Sequence, residues 1–552
     1  MKKLYFAFVA ALTAVTPIVA QETYENARLV EDDLNGTARY VGMGGAMEAL
    51  GADISAIGSN PASIGLFRHS YVGTSFGMVT QENARSYRIG NKTNMSFDQI
   101  GFVYSTESYD GSFLNFAFNY HKSKNFNQIL AVADGLLGYG SQNKLSFIKG
   151  IGETGYDGQS RFNFDRAAGL GSAYFSSQLD NVYYNSFIMG PDGMSEAYNE
   201  ASAYIMQRAN TGYIGNYDIN ISGNINDRVY LGLTVGISDV HYRSFSEYVE
   251  SLVDWEAKPA GTLCVTDERK ITGNGFDVKA GIIVRPIETS PFRVGLSIAS
   301  PTFYKLKTEN NTYMTDNLGY DVYDKGYVAN GVYKFRVNTP WKFGLSLGHI
   351  IGRNLALGAS AEYCDYSSLD NRYISGERFA WYGDYTDESE SDNAMNSHTE
   401  QTLKGVATLK LGAEYKPDPA LAVRLGYNYI SPMYKEGAFK DGFIDSYGSN
   451  CSSATDYINW KATNRITCGI GYKYQGFSID LAYQYMVKKG DFSPFCGAWG
   501  DFYHFAYDDL GNTILDTSGS PVIVKDEVDV FEKPTKVDFM RHQVLLTLGY
   551  TF

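Results

Sequence analysis

Three things are scarce in this 552-residue sequence: positive charge, paired cysteine motifs and long apolar runs. Its net charge of -14 leaves no basic footprint for a nucleic-acid partner. The five cysteines are odd in number and show no C-x-x-C spacing, so the sequence predicts no zinc site. After the N-terminal segment, no run approaches the ~18 apolar residues of a membrane helix. If the mature chain crosses a membrane, it must therefore do so with strands.

Residues 1–20 are typical of a secretory signal peptide. Lys2 and Lys3 supply the positive start, an apolar core covers 4–15, and small residues lead to a cleavage point before Gln21. The apolar core is too short for a transmembrane anchor. We therefore expect the chain to be exported and its mature part to begin at residue 21.

Glycine and aromatic residues, by contrast, are abundant, with 57 Gly, 44 Tyr and 32 Phe. Aromatic side chains favour strands, and glycine suits turns and crowded barrel interiors. The final segment, HQVLLTLGYTF, alternates large apolar residues with small or polar ones, with Leu545 as the exception. Its apolar members are Val544, Leu546, Leu548, Tyr550 and Phe552. This period of two predicts a strand with one apolar face and one polar face.

The same alternation recurs along the chain. Clear copies are 229–237, 292–298, 341–347, 354–363, 409–415, 421–429, 465–474 and 477–485. The face opposite the apolar residues carries Gly, Ser, Ala, Thr, Asn, Lys, Arg or Glu, which suits a wet or plugged lumen better than the dry interior of a sandwich. Tyrosines end several apolar faces, as in the aromatic girdle of a membrane barrel. The pattern predicts an all-β, transmembrane antiparallel barrel in the outer membrane of a Gram-negative bacterium.

Connections between these strands alternate in length. Short links are predicted at 224–227, 286–291, 352–354, 416–419 and 475–476, and long external loops at 122–209, 368–401, 431–460 and 489–537. Counting back from the C-terminus gives about fourteen strands, the first near 70–80. Within the longest loop, 126–137 and 195–206 have helical spacing. They predict two short amphipathic helices, which either form an entry groove for an apolar ligand or pack over the barrel mouth.

The segment before the first strand, residues 21–69, has no strand pattern. Its glycine-rich run Gly42-Met43-Gly44-Gly45 is not a dinucleotide fingerprint, because Met47 stands where the third glycine should be and no βαβ unit surrounds it. Dense glycine and alanine suit a compact segment threaded through a tight space.

The stretch ARYVGMGGAMEALGADISAIGSNPASIGLF, 38–67, closely resembles the N-terminal hatch of the FadL-like long-chain fatty-acid transporter family. TLKLGAEYKPDPALAVRLGYNYISP, 408–432, and the terminal LTLGYTF resemble the C-terminal hairpins of that family. The resemblance implies a barrel over 70–552, plugged by a hatch over 21–69. It also implies passive uptake of small hydrophobic molecules, without cofactor or catalysis. A terminal aromatic strand, here with Tyr550 and Phe552, resembles the signal by which such barrels reach their assembly machinery.

Six hatch residues are predicted to gate the ligand path: Gly42, Gly44, Gly45, Asn60, Pro61 and Ala62. Proline fixes its own backbone and removes a donor, and asparagine hydrogen-bonds the adjacent chain. The alternative is an ordinary turn before the first strand.

Four inward-facing cations, Lys342, Lys410, Arg424 and Arg293, are predicted contacts for a carboxylate head group. The alternative is that they belong to a lumen charge network with Asp277, Glu362, Glu414 and Asp480.

Other functions stay open. The sequence holds no HExxH and no GxSxG at a strand–helix turn, so no enzyme or metal site is predicted, although a catalytic site assembled from separate strands would leave no such motif. The acidic run 387–392 is expected to be a solvated loop tip or, alternatively, a divalent-cation site. A haem receptor on the same fold, with a His or Tyr iron ligand, and a barrel adaptor in protein secretion are the rival functions. The expected partners are a hydrophobic ligand, outer-membrane lipid and the assembly machinery, and the barrel is expected to be a monomer.

Overall fold

The computed structural model describes residues 22–552 except 109–111, 137–139, 152–163, 166–169, 172–176, 186–198, 255, 319–326, 380–384, 443, 445, 447, 449–451, 506–513, 518, 521 and 531. The predicted signal peptide, 1–20, lies outside the described residues. The α-helices are α1 (Thr23–Val30), α2 (Ala38–Gly42), α3 (Gln142–Ile151), α4 (Gln178–Asn185) and α5 (Asn393–Thr402), and Ile54–Gly58, Pro61–Leu66 and Tyr366–Ser368 form 3-10 helices. In the described part of the chain, no helix is long and apolar enough to span a bilayer.

Strands make up most of the fold. In chain order the segments are β1 (Tyr71–Gln81), β2 (Thr93–Glu107), β3 (Phe113–Asn125), β4 (Gln128–Gly135), β5 (Phe164–Asp165), β6 (Leu170–Gly171), β7 (Glu200–Ile225), β8 (Val229–Val253), β9 (Pro259–Val284), β10 (Arg293–Ala299), β11 (Phe303–Asn317), β12 (Tyr327–Asn338), β13 (Lys342–Ile351), β14 (Leu355–Asp365), β15 (Asp370–Phe379), β16 (Tyr385–Ser391), β17 (Gly405–Asp418), β18 (Leu421–Ile430), β19 (Tyr457–Tyr474), β20 (Phe477–Ser493), β21 (Ala498–Phe505), β22 (Ile523–Val530) and β23 (Thr535–Thr551). Two pairs, β5 with β6 and β21 with β22, form separate hairpins, and the other 19 segments form one sheet.

This sheet is a barrel of fourteen strands, the number predicted. In five places, two consecutive segments form a single strand of the wall. Both segments of each pair are hydrogen-bonded to the same neighbouring strand, or to two consecutive segments that themselves form one strand. The pairs are β3 with β4, β10 with β11, β12 with β13, β14 with β15, and β16 with β17. The ring closes where β23 pairs antiparallel with β1, from Tyr71 opposite Thr551 to Gln81 opposite Arg541. Closure removes the unpaired edges that an open sheet would expose in a bilayer.

The apolar face of the alternating pattern points outward. On the last strand, Leu546 and Leu548 are exposed, whereas the intervening Thr547 is buried. Exposed Phe and Leu side chains of β1, β2 and β8 continue this apolar belt, as at Phe76, Phe102 and Leu233. An apolar outer belt over a polar interior is the arrangement that a bilayer requires.

Residues 22–69, called the hatch below, lie inside the barrel. α2 contacts β18, β19, β20 and β23, while Pro61–Leu66 contacts β7, β8 and β9 on the other side of the ring. Leu545, the exception to the terminal alternation, is completely buried in an apolar cluster with hatch residues such as Val41 and Met47. The inward-facing leucine therefore packs against the hatch.

The two amphipathic helices predicted in the longest loop are wrong. Segment 126–137 contains β4, and 195–206 contains the start of β7, and the two pair in register from Gln128 opposite Asn210 to Gly135 opposite Ala203. Backbone pairing across the sheet thus overrides the local helical spacing. Among the described residues of this region, the helices are α3 and α4.

The other predicted loops are also shorter than expected, since strands extend into them. The acidic run 387–392 is not a free loop tip: residues 387–391 lie on β16, paired with β15, and Asp392 caps α5 by accepting a hydrogen bond from the Met395 amide. β19 begins at Tyr457, β20 continues to Ser493, and β23 begins at Thr535.

Candidate functional site

The Asn60-Pro61-Ala62 motif links the hatch to the wall. The Asn60 side chain caps the helix Pro61–Leu66 by accepting a hydrogen bond from the Ala62 amide at 3.1 Å. Its Nδ2 donates to the carbonyl of Leu296 on β10 at 3.3 Å. Proline at the first helical position needs no amide partner there. One buried side chain therefore fixes both the helix start and its distance from the barrel.

Wall glycines make room for this motif. A Cβ at Gly281 would collide with the Asn60 side chain, and one at Gly232 would collide with the Pro61 backbone. At Gly295, the added carbon would lie 3.0 Å from Asn60 Nδ2. These positions on β8, β9 and β10 must stay without side chains for the motif to approach the wall this closely.

The glycine run of the hatch lies on the opposite side of the ring. Gly44 has a φ of +63°, which favours glycine, and a Cβ there would lie 2.8 Å from the Tyr427 amide nitrogen. A Cβ at Gly45 would lie 2.9 Å from Leu34, and one at Gly42 would lie 3.3 Å from Gly469. Hatch backbone and wall backbone are thus in direct contact.

The facing wall carries a row of register-paired glycines: Gly348, Gly358, Gly412 and Gly426 on β13, β14, β17 and β18. On the outer surface of the same strands lies an apolar groove of about 570 Å³, bordered by Leu347, Leu411 and Leu425. At this place, only the sheet backbone separates the hatch from the lipid-facing side.

Three of the four predicted head-group cations are engaged in ion pairs. Lys342 pairs with Asp32 at 2.6 Å, and Lys410 lies 2.9 Å from Glu48, both partners being hatch carboxylates. The fourth, Arg293, donates to the carbonyl of Leu50 in the hatch at 3.0 Å. Lys342, Lys410 and Arg293 therefore hold the hatch directly.

The expected lumen charge network is also present, in a modified form. Arg424 lies 2.7 Å from Glu414 and 2.6 Å from Asp480, and Lys410 lies 2.5 Å from Glu362. Arg39 of the hatch also donates two hydrogen bonds to Glu414, from Nε at 2.9 Å and from Nη2 at 3.1 Å. Asp277 pairs instead with Lys279, at 2.9 Å.

Sequence reasoning missed the acidic run Glu31-Asp32-Asp33 of the hatch. Asp33 lies 3.3 Å from Arg465 and 3.2 Å from Arg541. Burial opposes its ionisation, but Arg541, Lys124 and Arg465 outweigh burial and lower the pKa of Asp33 to about 2. Three consecutive carboxylates between the apolar residues Val30 and Leu34 are the signal in the sequence that could have found this contact.

Two small cavities lie beside the hatch. One cavity of about 180 Å³ is bordered by Asp32, Lys342 and Lys410. Another of about 90 Å³ lies beside Arg465 and Arg541. In the described residues, no group of three His, Cys, Asp or Glu side chains is placed to hold a metal ion.

A closed fourteen-stranded barrel with an apolar outer belt and a filled lumen defines an outer-membrane β-barrel protein. Residues 19–438 match the model of the family described as outer membrane protein transport protein (OMPP1/FadL/TodX). The chain belongs to this family, and is an outer-membrane transport protein for hydrophobic compounds.

Several solved structures are similar to this chain. A FadL homologue of Pseudomonas aeruginosa shares 13% identity with this chain. The match covers 94% of this chain and 99% of the homologue, with a TM-score of 0.45. The Ralstonia pickettii toluene transporter TbuX shares 11% with the same coverage and TM-score 0.45. The P. putida toluene transporter TodX shares 11%, again with 94% and 99% coverage, and TM-score 0.44. No curated protein matches the chain.

Proposed function

We propose that this protein takes up long-chain fatty acids or similar amphiphiles by passive diffusion, with the hatch as the gate. The observation that carries the proposal is the pairing of Lys342 and Lys410 with hatch carboxylates. A fatty-acid carboxylate has the same chemistry as the Asp32 and Glu48 side chains that now occupy these lysines. Ligand and hatch would thus compete for one set of cations.

The Asp32–Lys342 pair is the best suited for such exchange. Both side chains remain partly exposed to the lumen, at 54% and 35%, whereas the Lys410 and Glu48 side chains are 8% and 4% exposed. An exposed ion pair contributes only about 0–1 kcal/mol to stability, so replacing one carboxylate with another costs little. Arg424 and Arg293 would contact the head group only after the hatch has moved.

Gating by the hatch motif is part of the proposal. Asn60, Pro61 and Ala62 anchor one side of the hatch, and Gly42, Gly44 and Gly45 allow its close contact on the other. A shift of the hatch has to break these contacts before a path through the lumen opens.

Uptake of labelled oleate and labelled toluene by cells that carry the protein tests the substrate class. For Lys342→Gln we expect oleate uptake to fall about tenfold, as one charge-assisted contact is lost, while toluene uptake does not fall. The matched control is Lys334→Gln, an exposed lysine of β12 that pairs with Asp387 away from the hatch. Equal losses for oleate and toluene, or none for oleate, would reject the head-group role.

No observation here favours the haem receptor or the secretion adaptor. We also propose that the barrel works as a monomer surrounded by outer-membrane lipid, supported by its closed sheet. Tyr550 and Phe552 are proposed as the assembly signal, supported by their exposure at the end of the last strand. Deletion of Phe552 should then reduce the amount of inserted barrel in the outer membrane, as measured by unboiled electrophoresis.

A further inference from the structure

The second cavity, of about 90 Å³, lies between the outer half of the hatch and the wall, and is called the cationic cavity below. Aromatic side chains border it, among them Tyr242, Trp460 and Phe539. Its basic side chains are Arg28 from the hatch and Lys124, Arg465, Lys488 and Arg541 from the wall. Glu31 and Asp33 are the carboxylates at its border.

Five basic side chains face two carboxylates, which leaves an excess of three positive charges around the cavity. Asp456 also attracts Arg28 electrostatically, but it does not remove this excess, because it accepts a hydrogen bond from another cation, Arg208. Uncompensated charges of one sign repel each other strongly where water is scarce. The excess indicates a site for an anion.

The geometry shows how the positive charge is left over. Glu31 lies between Lys488, at 2.7 Å, and Lys124, at 3.2 Å. Burial opposes ionisation of Glu31, but the two lysines outweigh it and hold its pKa well below the usual range. Asp33 is shared in the same way by Arg465 and Arg541. Each carboxylate is therefore shared by two cations.

Two buried N–H donors of residues that border the cavity have no acceptor in the described part of the chain. The Nε atoms of Arg465 and Arg541 make no hydrogen bond in the described part of the chain, although these side chains are only 2% and 3% exposed. A buried N–H of a charged group is costly to leave unpaired. Together with the excess of positive charge, these two N–H groups favour a bound group with acceptor oxygens.

We propose that the cationic cavity binds a compact oxyanion with two negative charges, as the head group of an amphiphile whose apolar part lies against the aromatic side chains. The guanidinium groups of Arg465 and Arg541 match the oxygens of a phosphate monoester, and Lys488 adds a point charge. A single carboxylate would leave two of the three excess charges uncompensated.

The size of the cavity suits a head group. A water molecule takes about 30 Å³, so the cavity has room for about three waters or a group of similar size, such as phosphate. The ring of Trp460 lies 5.5 Å from Lys488 Nζ, and that of Phe539 lies 6.0 Å from the Arg541 guanidinium carbon. The apolar part of a ligand would therefore contact aromatic rings directly beside the charges.

Calorimetric titration of the purified full-length barrel in a non-ionic detergent at pH 8 tests the proposal with four soluble probes. Phenyl phosphate is expected to bind about tenfold more tightly than benzoate, and inorganic phosphate more weakly than phenyl phosphate. Toluene is expected not to bind in the cavity. Benzoate binding as tightly as phenyl phosphate would overturn the requirement for two charges. Inorganic phosphate binding as tightly as phenyl phosphate would identify the free anion as ligand and overturn the head-group assignment.

The variant Arg541→Gln should weaken phenyl phosphate binding about tenfold, and Arg541→Lys, which keeps the charge, less than that. Lys461→Gln is the matched control, since this exposed lysine of β19 pairs with Asp491 outside the cavity. Unboiled electrophoresis shows whether each variant is a closed barrel, and Arg541→Lys provides the test if Arg541→Gln does not fold. Unchanged affinity in the folded Arg541 variant would reject the site.

The interpretation of the anion as a transported head group rests on the proposed function, but the binding measurement does not. A barrel that takes up oleate and binds no phenyl phosphate rejects the site alone. One that binds phenyl phosphate through Arg541 but shows no uptake of oleate or toluene keeps the site and rejects the proposed function.

Discussion

Asn60 shows how much of the contact between hatch and wall depends on one side chain. Its two polar atoms are divided between the amide of Ala62 in the hatch and the carbonyl of Leu296 in the wall. An amide side chain can serve both, since it carries an acceptor oxygen and donor hydrogens. Aspartate would keep the cap but lose the donor toward the wall.

Replacing Asn60 with alanine should release the helix Pro61–Leu66 from the wall. Loss of an N-cap costs about 1 kcal/mol, and the lost hydrogen bond to Leu296 adds to it. Hydrogen exchange of the amides at 62–66 should therefore become about fivefold faster or more, since ~1 kcal/mol corresponds to that factor. Asn94→Ala, on the exposed part of β2, is the control and should leave these amides unchanged. Unaltered exchange in Asn60→Ala would show that the cap does not hold the hatch.

Glu250, on the part of β8 beyond the apolar belt, is completely buried. Burial raises its pKa to about 7, although the amide of Gln142 at the start of α3 donates to it at 2.6 Å. A carboxyl with a raised pKa holds its proton more tightly in the folded protein than in the unfolded chain. It therefore stabilises the fold at low pH, and this contribution is lost as pH rises from about 4.5 to about 7.

Docking of α3 on β8 should accordingly weaken between pH 5 and pH 8. Limited proteolysis of the external region around α3 is expected to be faster at pH 8, and Glu250→Gln should remove most of this difference. The exposed Glu268→Gln on β9 is the comparison and should keep it. A pH response that survives in Glu250→Gln would assign the effect to another group.

Among the elements, the glycine row of β13, β14, β17 and β18 determines how closely the hatch approaches the wall. A Cβ at Gly426 would collide with the backbone of Gly44 and Met43, and one at Gly412 with Met43. These backbone atoms of the hatch cannot move aside as the end of a flexible side chain could. Within the wall, a Cβ at Gly426 would meet only the end of a side chain among its nearest atoms, Thr467 Oγ1 at 2.5 Å, which can rotate away.

Gly426→Ala should therefore displace the hatch and leave the barrel closed. We expect a higher ion conductance in planar bilayers than for the unaltered protein, with the same mobility in unboiled electrophoresis. Gly376→Ala on β15 is the control, since an added Cβ there meets no atom within 4 Å. An unchanged conductance in Gly426→Ala would contradict the close contact of hatch and wall.

The strands within the bilayer could be predicted because lipid on one side and a polar lumen on the other impose strict alternation. Beyond the belt this constraint ends. In β4, the neighbouring residues Ile129 and Leu130 are both buried, so the strict alternation of a strand is lost and the spacing of apolar residues predicts a helix instead. The cationic cavity could not be predicted either, because Lys124, Lys488 and Arg541 come together only through closure of the ring. Its hatch partner Glu31 is at least 93 residues from each lysine in the sequence.

At the scale of the whole molecule, hatch and lumen are complementary in charge. Hatch carboxylates from Glu22 to Glu48 pair with Lys342 and Lys410 of the wall and with Lys440 of the loop after β18. Such pairs give position and reversibility more than stability, since charges in the lumen lose hydration when they meet. We therefore expect that the hatch can shift while the barrel stays folded.

Charge reversal at the partly exposed pair tests this complementarity. Lys342→Glu should loosen the hatch by placing two carboxylates together, and should raise proteolysis of the hatch in detergent-solubilised barrels. The double variant Asp32→Lys with Lys342→Glu should restore most of the resistance, since the pair is regained in reversed order. Equal cleavage of the single and double variants would show that this ion pair does not position the hatch.

If the hatch must move for uptake, a reversible tether between hatch and wall should stop uptake. Gly42 and Gly469 face each other closely enough that a Cβ on either would lie 3.3–3.4 Å from the Cα of the other. We would therefore measure oleate uptake by cells carrying Gly42→Cys with Gly469→Cys, oxidised and then reduced, with each single variant as control. Loss of uptake on oxidation and its return on reduction, in the double variant only, is the predicted result. Equal uptake by the oxidised and reduced double variant, with the disulfide shown to have formed, would contradict the account.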